Sequence, residues 1–109
     1  MRITIRPSAL AHGITETEIR AIIEYPEHRA RVAARRPDAN LTVTVGAYDI
    51  NEPYIEIIYD TQPGEYVVFH AMMLRSSTIA ATQLDGHINP GRITKRQRPQ
   101  QGGDRKSVV

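Results

Sequence analysis

The chain has 109 residues, a length that fits one domain with a modest hydrophobic core. It contains no cysteine, which excludes a disulfide framework and a thiolate metal site. No apolar run approaches the roughly 18–20 residues that a membrane-spanning helix needs, and the alternating N-terminus "MRITIRP" lacks the apolar core of a secretion signal. We therefore expect a cytoplasmic protein with no membrane partner.

The net charge of +2 conceals a difference between two parts of the chain. Residues 92–109 carry six basic residues and one acidic residue, whereas residues 1–91 carry eight basic and eleven acidic residues, so their charges are +5 and −3. This division predicts a domain over 1–91 and a basic, flexible tail over 92–109, whose deletion should leave the melting temperature nearly unchanged. A cationic tail also suits contact with nucleic acid or an acidic partner.

The N-terminal part predicts one strand and one helix. Residues 2–6, "RITIR", alternate apolar and polar side chains, which is typical of a strand. A helix is predicted over 15–25, because Thr15 can cap its start and Glu18 stands three residues later, as in a capping box. Pro26 then ends the helix.

The central part predicts an antiparallel meander. The runs 41–45, 54–60 and 66–73 are strand-like, and turn-forming residues separate them. Sequential strands with short connections pair antiparallel. The predicted fold class is α+β, a small antiparallel β-meander sheet with N-terminal helices packed on one face. The residues expected in its core are Ile19, Ile22, Ile23, Val43, Ile55, Ile57 and Val68.

The remaining segments give weaker signals of secondary structure. Residues 26–40 are polar, basic and bounded by prolines, which favours a partly ordered connection. After the meander, Ser76 and Ser77 can cap a short helix that runs to Leu84. Gly91 marks the expected end of the ordered part.

One histidine stands inside the last predicted strand, in the stretch "VVFHAMML". Regular alternation would place His70 on the same face as Val68 and Met72. A histidine in a strand is either a core residue with one hydrogen-bond partner or a catalytic residue. Arg75, at the end of this strand, favours a site, because polar residues at strand ends often carry function. Glu56, on the preceding strand, is interpreted as solvent-facing.

A cluster of arginines is the other candidate functional feature of the sequence. It consists of Arg29, Arg31, Arg35 and Arg36. Guanidinium groups bind phosphate and stay charged. Together with a histidine they would suit RNA cleavage, in which the ribose 2′-hydroxyl attacks phosphorus, a base takes its proton and cations stabilise the oxyanion. The alternative is a solvated run that keeps the protein soluble. We expect no metal and no cofactor, because no ligand spacing is present.

Two segments resemble the BrnT-type toxins of bacterial type II toxin–antitoxin systems. They are "HGITETEI" from His12 to Ile19 and "EYVVFHAMML" from Glu65 to Leu74, in which Ala71 falls at an alanine that those toxins share. The resemblance spans about residues 3–75. It implies a RelE-like α+β fold, metal-independent RNA cleavage that inhibits growth, and a small DNA-binding antitoxin as partner, and it leaves a homodimer open.

The chain also departs from that pattern. Ala11 stands where the family has a lysine, and His70 and Met72 stand where it has a serine and an arginine. We therefore expect His70 to act as general acid or base and Arg75 to supply positive charge, with RNA bound by the four arginines between 29 and 36. The alternative is a non-catalytic binding module of the same fold that pairs with a DNA-binding antitoxin or another protein.

Overall fold

The computed structural model describes residues 1–34 and 36–99. It is an α+β fold with one mixed, open sheet of five strands in the order β1-β5-β4-β3-β2. The elements are β1 (Arg2–Ile5), a 3-10 turn (Pro7–Leu10), α1 (Glu16–Glu24), β2 (His28–Arg31), β3 (Leu41–Gly46), β4 (Ile55–Gln62), β5 (Glu65–Met73), α2 (Ser76–Thr82) and a second 3-10 turn (Pro90–Arg92). Neither helix in this described part of the chain has the length and apolar content to cross a membrane.

The predicted meander is confirmed. Strand β4 pairs antiparallel with both β3 and β5, and the connection between β4 and β5 is the two-residue turn Pro63-Gly64. Gly64 has φ +75° there, a conformation that glycine adopts without steric cost. The short helix predicted after the meander is also present as α2.

Two features of the sheet differ from the prediction. The sheet is mixed, because β1 pairs parallel with β5, with Ile3 opposite Tyr66 and Ile5 opposite Val68. No hairpin joins these two strands, so nothing forces them to be antiparallel. The segment predicted as a partly ordered connection contains β2, which pairs antiparallel with β3. Its alternation of half-buried and exposed residues suits an edge strand that is covered on one face only.

Each face of the sheet has its own core. On one face α1 and the first 3-10 turn pack over β5 and β4, and on the other face α2 and residues after it pack over β3 and β4; we call these the α1 face and the α2 face. The capping box at the start of α1 is present, with Thr15 and Glu18 bonded to each other's backbone N–H groups. All seven residues predicted for the core are buried: Ile19, Ile22, Ile23, Val43, Ile55, Ile57 and Val68.

A β-bulge interrupts β5 at Phe69. Tyr59 pairs with Val68 and Ile58 pairs with His70, so Phe69 is an extra residue without a partner in β4. Ser8 donates its hydroxyl hydrogen to the carbonyl oxygen of Phe69 at 2.7 Å, just beyond the end of β1. The bulge makes the predicted alternation wrong: Val68 lies in the core of the α1 face, and His70 lies on the α2 face beside Ile58.

Residues 92–99, the described part of the predicted tail, are bonded to the domain through several side chains. Arg92 donates to both carboxylate oxygens of Glu27 at 2.7 Å. The side-chain amide of Gln97 pairs with the backbone N–H and carbonyl of Met73. Arg98 donates to both carboxylate oxygens of Glu18, at 2.7 and 2.9 Å, and so reaches α1. The rest of the tail, 100–109, lies outside the described residues.

Candidate active site

The site is built around a carboxylate on β4, the central strand of the sheet, near the start of that strand. Glu56 is 0% exposed on β4, where it was predicted to face solvent. It lies on the α2 face, two residues before Ile58, which pairs with His70. Buried carboxylates occur where hydrogen bonds satisfy their oxygens. The alternation of glutamate with isoleucines gave no sign of this burial, because the groups that bind Glu56 are distant in sequence.

Arg75 supplies most of the hydrogen bonds to Glu56. Its backbone N–H donates to Oε1 at 2.9 Å, and its Nε and Nη2 donate to Oε2 at 3.1 and 2.7 Å. Arg75 is the N-cap residue of α2, so this contact joins the start of that helix to β4. Its side chain is 42% exposed, and a guanidinium carries five N–H groups, so donors remain for a ligand.

His70 is bonded to the same carboxylate oxygen. Its Nε2 lies 2.8 Å from Oε2 of Glu56, and its side chain is 20% exposed. An ionised carboxylate only accepts hydrogen bonds, so Nε2 carries the proton and Nδ1 is the nitrogen that can exchange a proton with a ligand. The histidine thus has a buried partner and also reaches solvent, which combines the two alternatives that the sequence left open.

The hydrogen bonds decide the charge of Glu56. Burial alone would raise the pKa of its carboxyl group, but the bonds from His70, Arg75 and Thr78 outweigh burial and lower the pKa from 4.5 to about 2. Glu56 is therefore ionised at neutral pH. An ionised carboxylate beneath His70 fixes the orientation of the imidazole ring.

A second histidine lies beside His70. The ring centroids of His12 and His70 are 6.3 Å apart, and the rings are inclined by 58°. The position of His12 follows from the chain after β1: the first 3-10 turn packs along β5, and Gly13, with φ +79°, turns the chain into α1. The sequence offered His12 as a second candidate, but its position before Gly13 at a helix end was sufficient to explain it, so His12 was not predicted to belong to the site. Its neighbour on β5 is distant in sequence.

In the described part of the chain, the side chains bonded to or stacked near His70 are Glu56, Arg75 and His12, and none of them is a predicted RNA-binding arginine. Arg29 and Arg31 pair with Thr44 and Thr42, so they project toward the α1 face from an edge strand. Arg36 is 72% exposed and lies 3.8 Å from Asp60, at one end of the α2 face. Arg35 lies outside the described residues.

An open groove of about 550 Å³ occupies that end of the α2 face. Leu41, Val67, Phe69 and three alanines form its apolar lining, and Arg6, Arg36, Ser8 and Asp60 add polar groups. The groove ends at the bulge, where Phe69 is followed directly by His70. The groove and the cluster of His12, Glu56, His70 and Arg75 are therefore adjacent; we call these four residues the histidine cluster.

In the residues that the structure describes, no group of three or more histidine, aspartate or glutamate side chains is arranged to hold a metal ion. The histidine cluster offers two imidazoles for proton transfer and a guanidinium for an anion. Comparisons of the chain with protein-family models, curated proteins and solved structures gave no match.

Proposed function

We propose that the protein is a metal-independent endoribonuclease of the toxin type. The observation that carries this proposal is the histidine cluster, in which the ring centroids of His12 and His70 lie 6.3 Å apart and His70 shares the Glu56 carboxylate with Arg75. Two histidines at this separation can both contact one phosphodiester group. That arrangement suits a reaction which needs one proton removed and another supplied.

The proposed reaction uses the ribose 2′-hydroxyl as its nucleophile. One imidazole takes the proton of that hydroxyl while its oxygen attacks phosphorus, and the other imidazole donates a proton to the departing 5′-oxygen. A 2′,3′-cyclic phosphate and a free 5′-hydroxyl result. Arg75 stabilises the negative charge that develops on the phosphoryl oxygens. Glu56 holds His70 with Nε2 protonated, so that Nδ1 performs the transfer.

The finer fold assignment is part of the same proposal. The order of a strand, a His-Gly turn, a capped helix and a meander that ends on the His70 strand supports a RelE/BrnT-like fold. On this proposal the growth-inhibiting activity would be neutralised by a small DNA-binding antitoxin. The resemblance of the "HGITETEI" and "EYVVFHAMML" segments is the support for this partner.

The test is cleavage of an end-labelled RNA by the purified protein in the presence of EDTA. We expect products that end in a 2′,3′-cyclic phosphate, and no cleavage of the same sequence when every ribose is 2′-O-methylated. Expression in bacteria should slow growth, and His70→Gln should relieve this effect. A wild-type protein that neither cleaves RNA nor slows growth would contradict the proposal and favour the non-catalytic binding module.

A further inference from the structure

We infer that the groove beside the histidine cluster binds one unstacked nucleotide of single-stranded RNA, whose base stacks on Phe69. This inference rests on the proposed function, because it assigns the groove to the strand that is cut in the cluster. The groove has about 550 Å³, within the range of about 300–1,000 Å³ that is typical of small-molecule pockets. It therefore admits a nucleoside but not a duplex.

Phe69 is the only phenylalanine in the chain, and it occurs at the bulge. It lines the groove with aliphatic side chains and is only partly buried, so an aromatic ring is available to a ligand. Aromatic side chains bind the flat faces of bases with little dependence on base identity. The residue that follows is His70, so a base on Phe69 would place its neighbouring phosphate near the histidine cluster.

The charges around the groove suit a phosphate backbone. Arg6 and Arg36 both line the groove and are both exposed. Asp60 is the one acidic residue among those lining it, and its carboxylate is occupied by the backbone N–H of Asn40 and the amide of Gln62, each at 2.8 Å. Arg36, 3.8 Å from this carboxylate, offsets its charge. The groove thus keeps a net positive charge at its rim.

The geometry of the sheet links the groove to the cluster. Asp60 and Glu56 are four residues apart on β4 and lie on the same face. Their separation is roughly 13 Å at about 3.3 Å per strand residue. A strand of RNA can therefore lie along the α2 face with one nucleotide in the groove and the scissile phosphate at His70.

The experiment measures binding of a fluorescent, single-stranded hexanucleotide in which every ribose is 2′-O-methylated, so that the wild-type protein cannot cut it. Loss of base stacking on Phe69 should make Phe69→Leu bind about tenfold more weakly. Tyr48→Leu is the matched control, because Tyr48 is an exposed aromatic in the loop between β3 and β4, at the opposite end of the sheet. The control should bind like the wild type.

A salt titration tests the phosphate contacts separately. Arg36→Gln should lower the slope of log affinity against log salt by about 0.7, the value for one phosphate on a single strand. Arg20→Gln removes an exposed arginine from α1, on the other face of the sheet, and should leave the slope unchanged. A loss of folding alone would lower the active fraction of protein but would not alter the slope.

The outcomes for the groove and for the enzyme are distinguishable. If the wild type cleaves RNA but Phe69→Leu binds the hexanucleotide as tightly as the wild type does, the groove inference is overturned and the proposed function stands. If binding depends on Phe69 but no cleavage occurs, the activity is wrong and the RNA site stands. A wild-type protein that neither binds nor cleaves overturns both, as does binding only to a protein partner.

Discussion

Glu56 and Arg75 are joined twice, once through the backbone of Arg75 and once through its side chain. The backbone N–H donates to Oε1 at 2.9 Å, while Nε and Nη2 donate to Oε2 at 3.1 and 2.7 Å. The double link fixes the start of α2 over the start of β4. The same link buries the Glu56 carboxylate fully, so the carboxylate stabilises the fold only while it is ionised. Acid should therefore lower the stability of the protein.

We predict that the free energy of unfolding falls as Glu56 is protonated. Its pKa is about 2 in the folded protein and 4.5 ordinarily, so this contribution is fully present above about pH 4.5 and disappears as the pH falls toward 2. A pKa difference of about 2.5 corresponds to about 3 kcal/mol. Urea unfolding between pH 6 and pH 2.5 measures it.

Two variants isolate the contribution of Glu56. Glu56→Gln should lose most of this pH dependence, because its side chain cannot ionise. Glu16→Gln is the matched control, since Glu16 is an exposed glutamate on α1, and it should keep the wild-type profile. Equal pH profiles for Glu56→Gln and the wild type would show that the buried carboxylate is not the group that titrates.

The role of His70 can be separated from its contribution to stability. His70→Gln removes the proton-transfer group but leaves Glu56 bonded to Arg75, so the fold should survive a loss of about 1.5–3 kcal/mol for one charge-assisted hydrogen bond. RNA cleavage per folded molecule should fall about 10²–10⁴-fold. Thermal melting and cleavage are measured on the same preparation. His87→Gln, at an exposed histidine, is the control and should change neither.

The two histidines should not act independently. If His12 and His70 serve one reaction, the variant that lacks both should cleave RNA little more slowly than the slower single variant. Single-turnover rates of the wild type, His12→Ala, His70→Ala and the double variant measure this. Losses that multiply in the double variant would indicate separate roles and would remove the paired proton transfer from the mechanism.

Gly13 tests how the tail segment is held against the turn beside His12. A Cβ at Gly13 would collide with the carbonyl oxygen of Pro99 and come within 2.9 Å of the Arg98 Cβ, and φ is +79°. Gly64 has φ +75°, but a Cβ added there would have no atom within 4 Å. Both glycine-to-alanine variants carry the backbone strain of about 1–2 kcal/mol, so Gly13→Ala should lower the melting temperature by more. Equal losses would show that residues 98–99 do not pack there in solution.

Truncations divide the tail into two parts with different expected effects. Deleting residues 100–109 should leave the melting temperature nearly unchanged, as the sequence predicts for the whole tail. Deleting 92–109 removes the paired bonds of Arg92 to Glu27 and of Arg98 to Glu18, so we expect a clear loss of stability. The double substitution Arg92→Ala and Arg98→Ala should reproduce much of that loss. An unchanged melting temperature after deletion of 92–109 would favour the flexible tail.

The sequence predicted those parts of the fold in which local pattern and burial agree. Alternation defined the meander and the isoleucine stripe defined α1, because each signal lies within a few adjacent residues. Strand β2 was missed because "HRAR" contains only one small apolar residue and so shows no alternation of apolar and polar side chains. The backbone hydrogen bonds that pair it with β3 leave no mark in the sequence. The bulge was missed because its extra residue, Phe69, looks like any other strand residue.

The site was predicted in part for the same reason. His70 and Arg75 stand close together in the sequence, and their proximity in space could be anticipated. Glu56 and His12 could not be placed, since they contact His70 across 14 and 58 positions of the chain. The Glu18–Arg98 pair joins residues 80 positions apart. At such a separation in sequence, the pattern of charges does not indicate which residues form an ion pair.

The parallel pairing of β1 and β5 has a consequence for the order of folding during synthesis. Strand β1 is made first, but its sheet partner is the last strand of the meander to leave the ribosome. Strands β2 to β5 can join their neighbours as they emerge, whereas β1 must wait for a contact of high sequence separation, the kind that slows folding. His12 depends on the same late pairing to reach His70. A nascent chain would therefore complete its histidine cluster only after β5 has emerged from the ribosome.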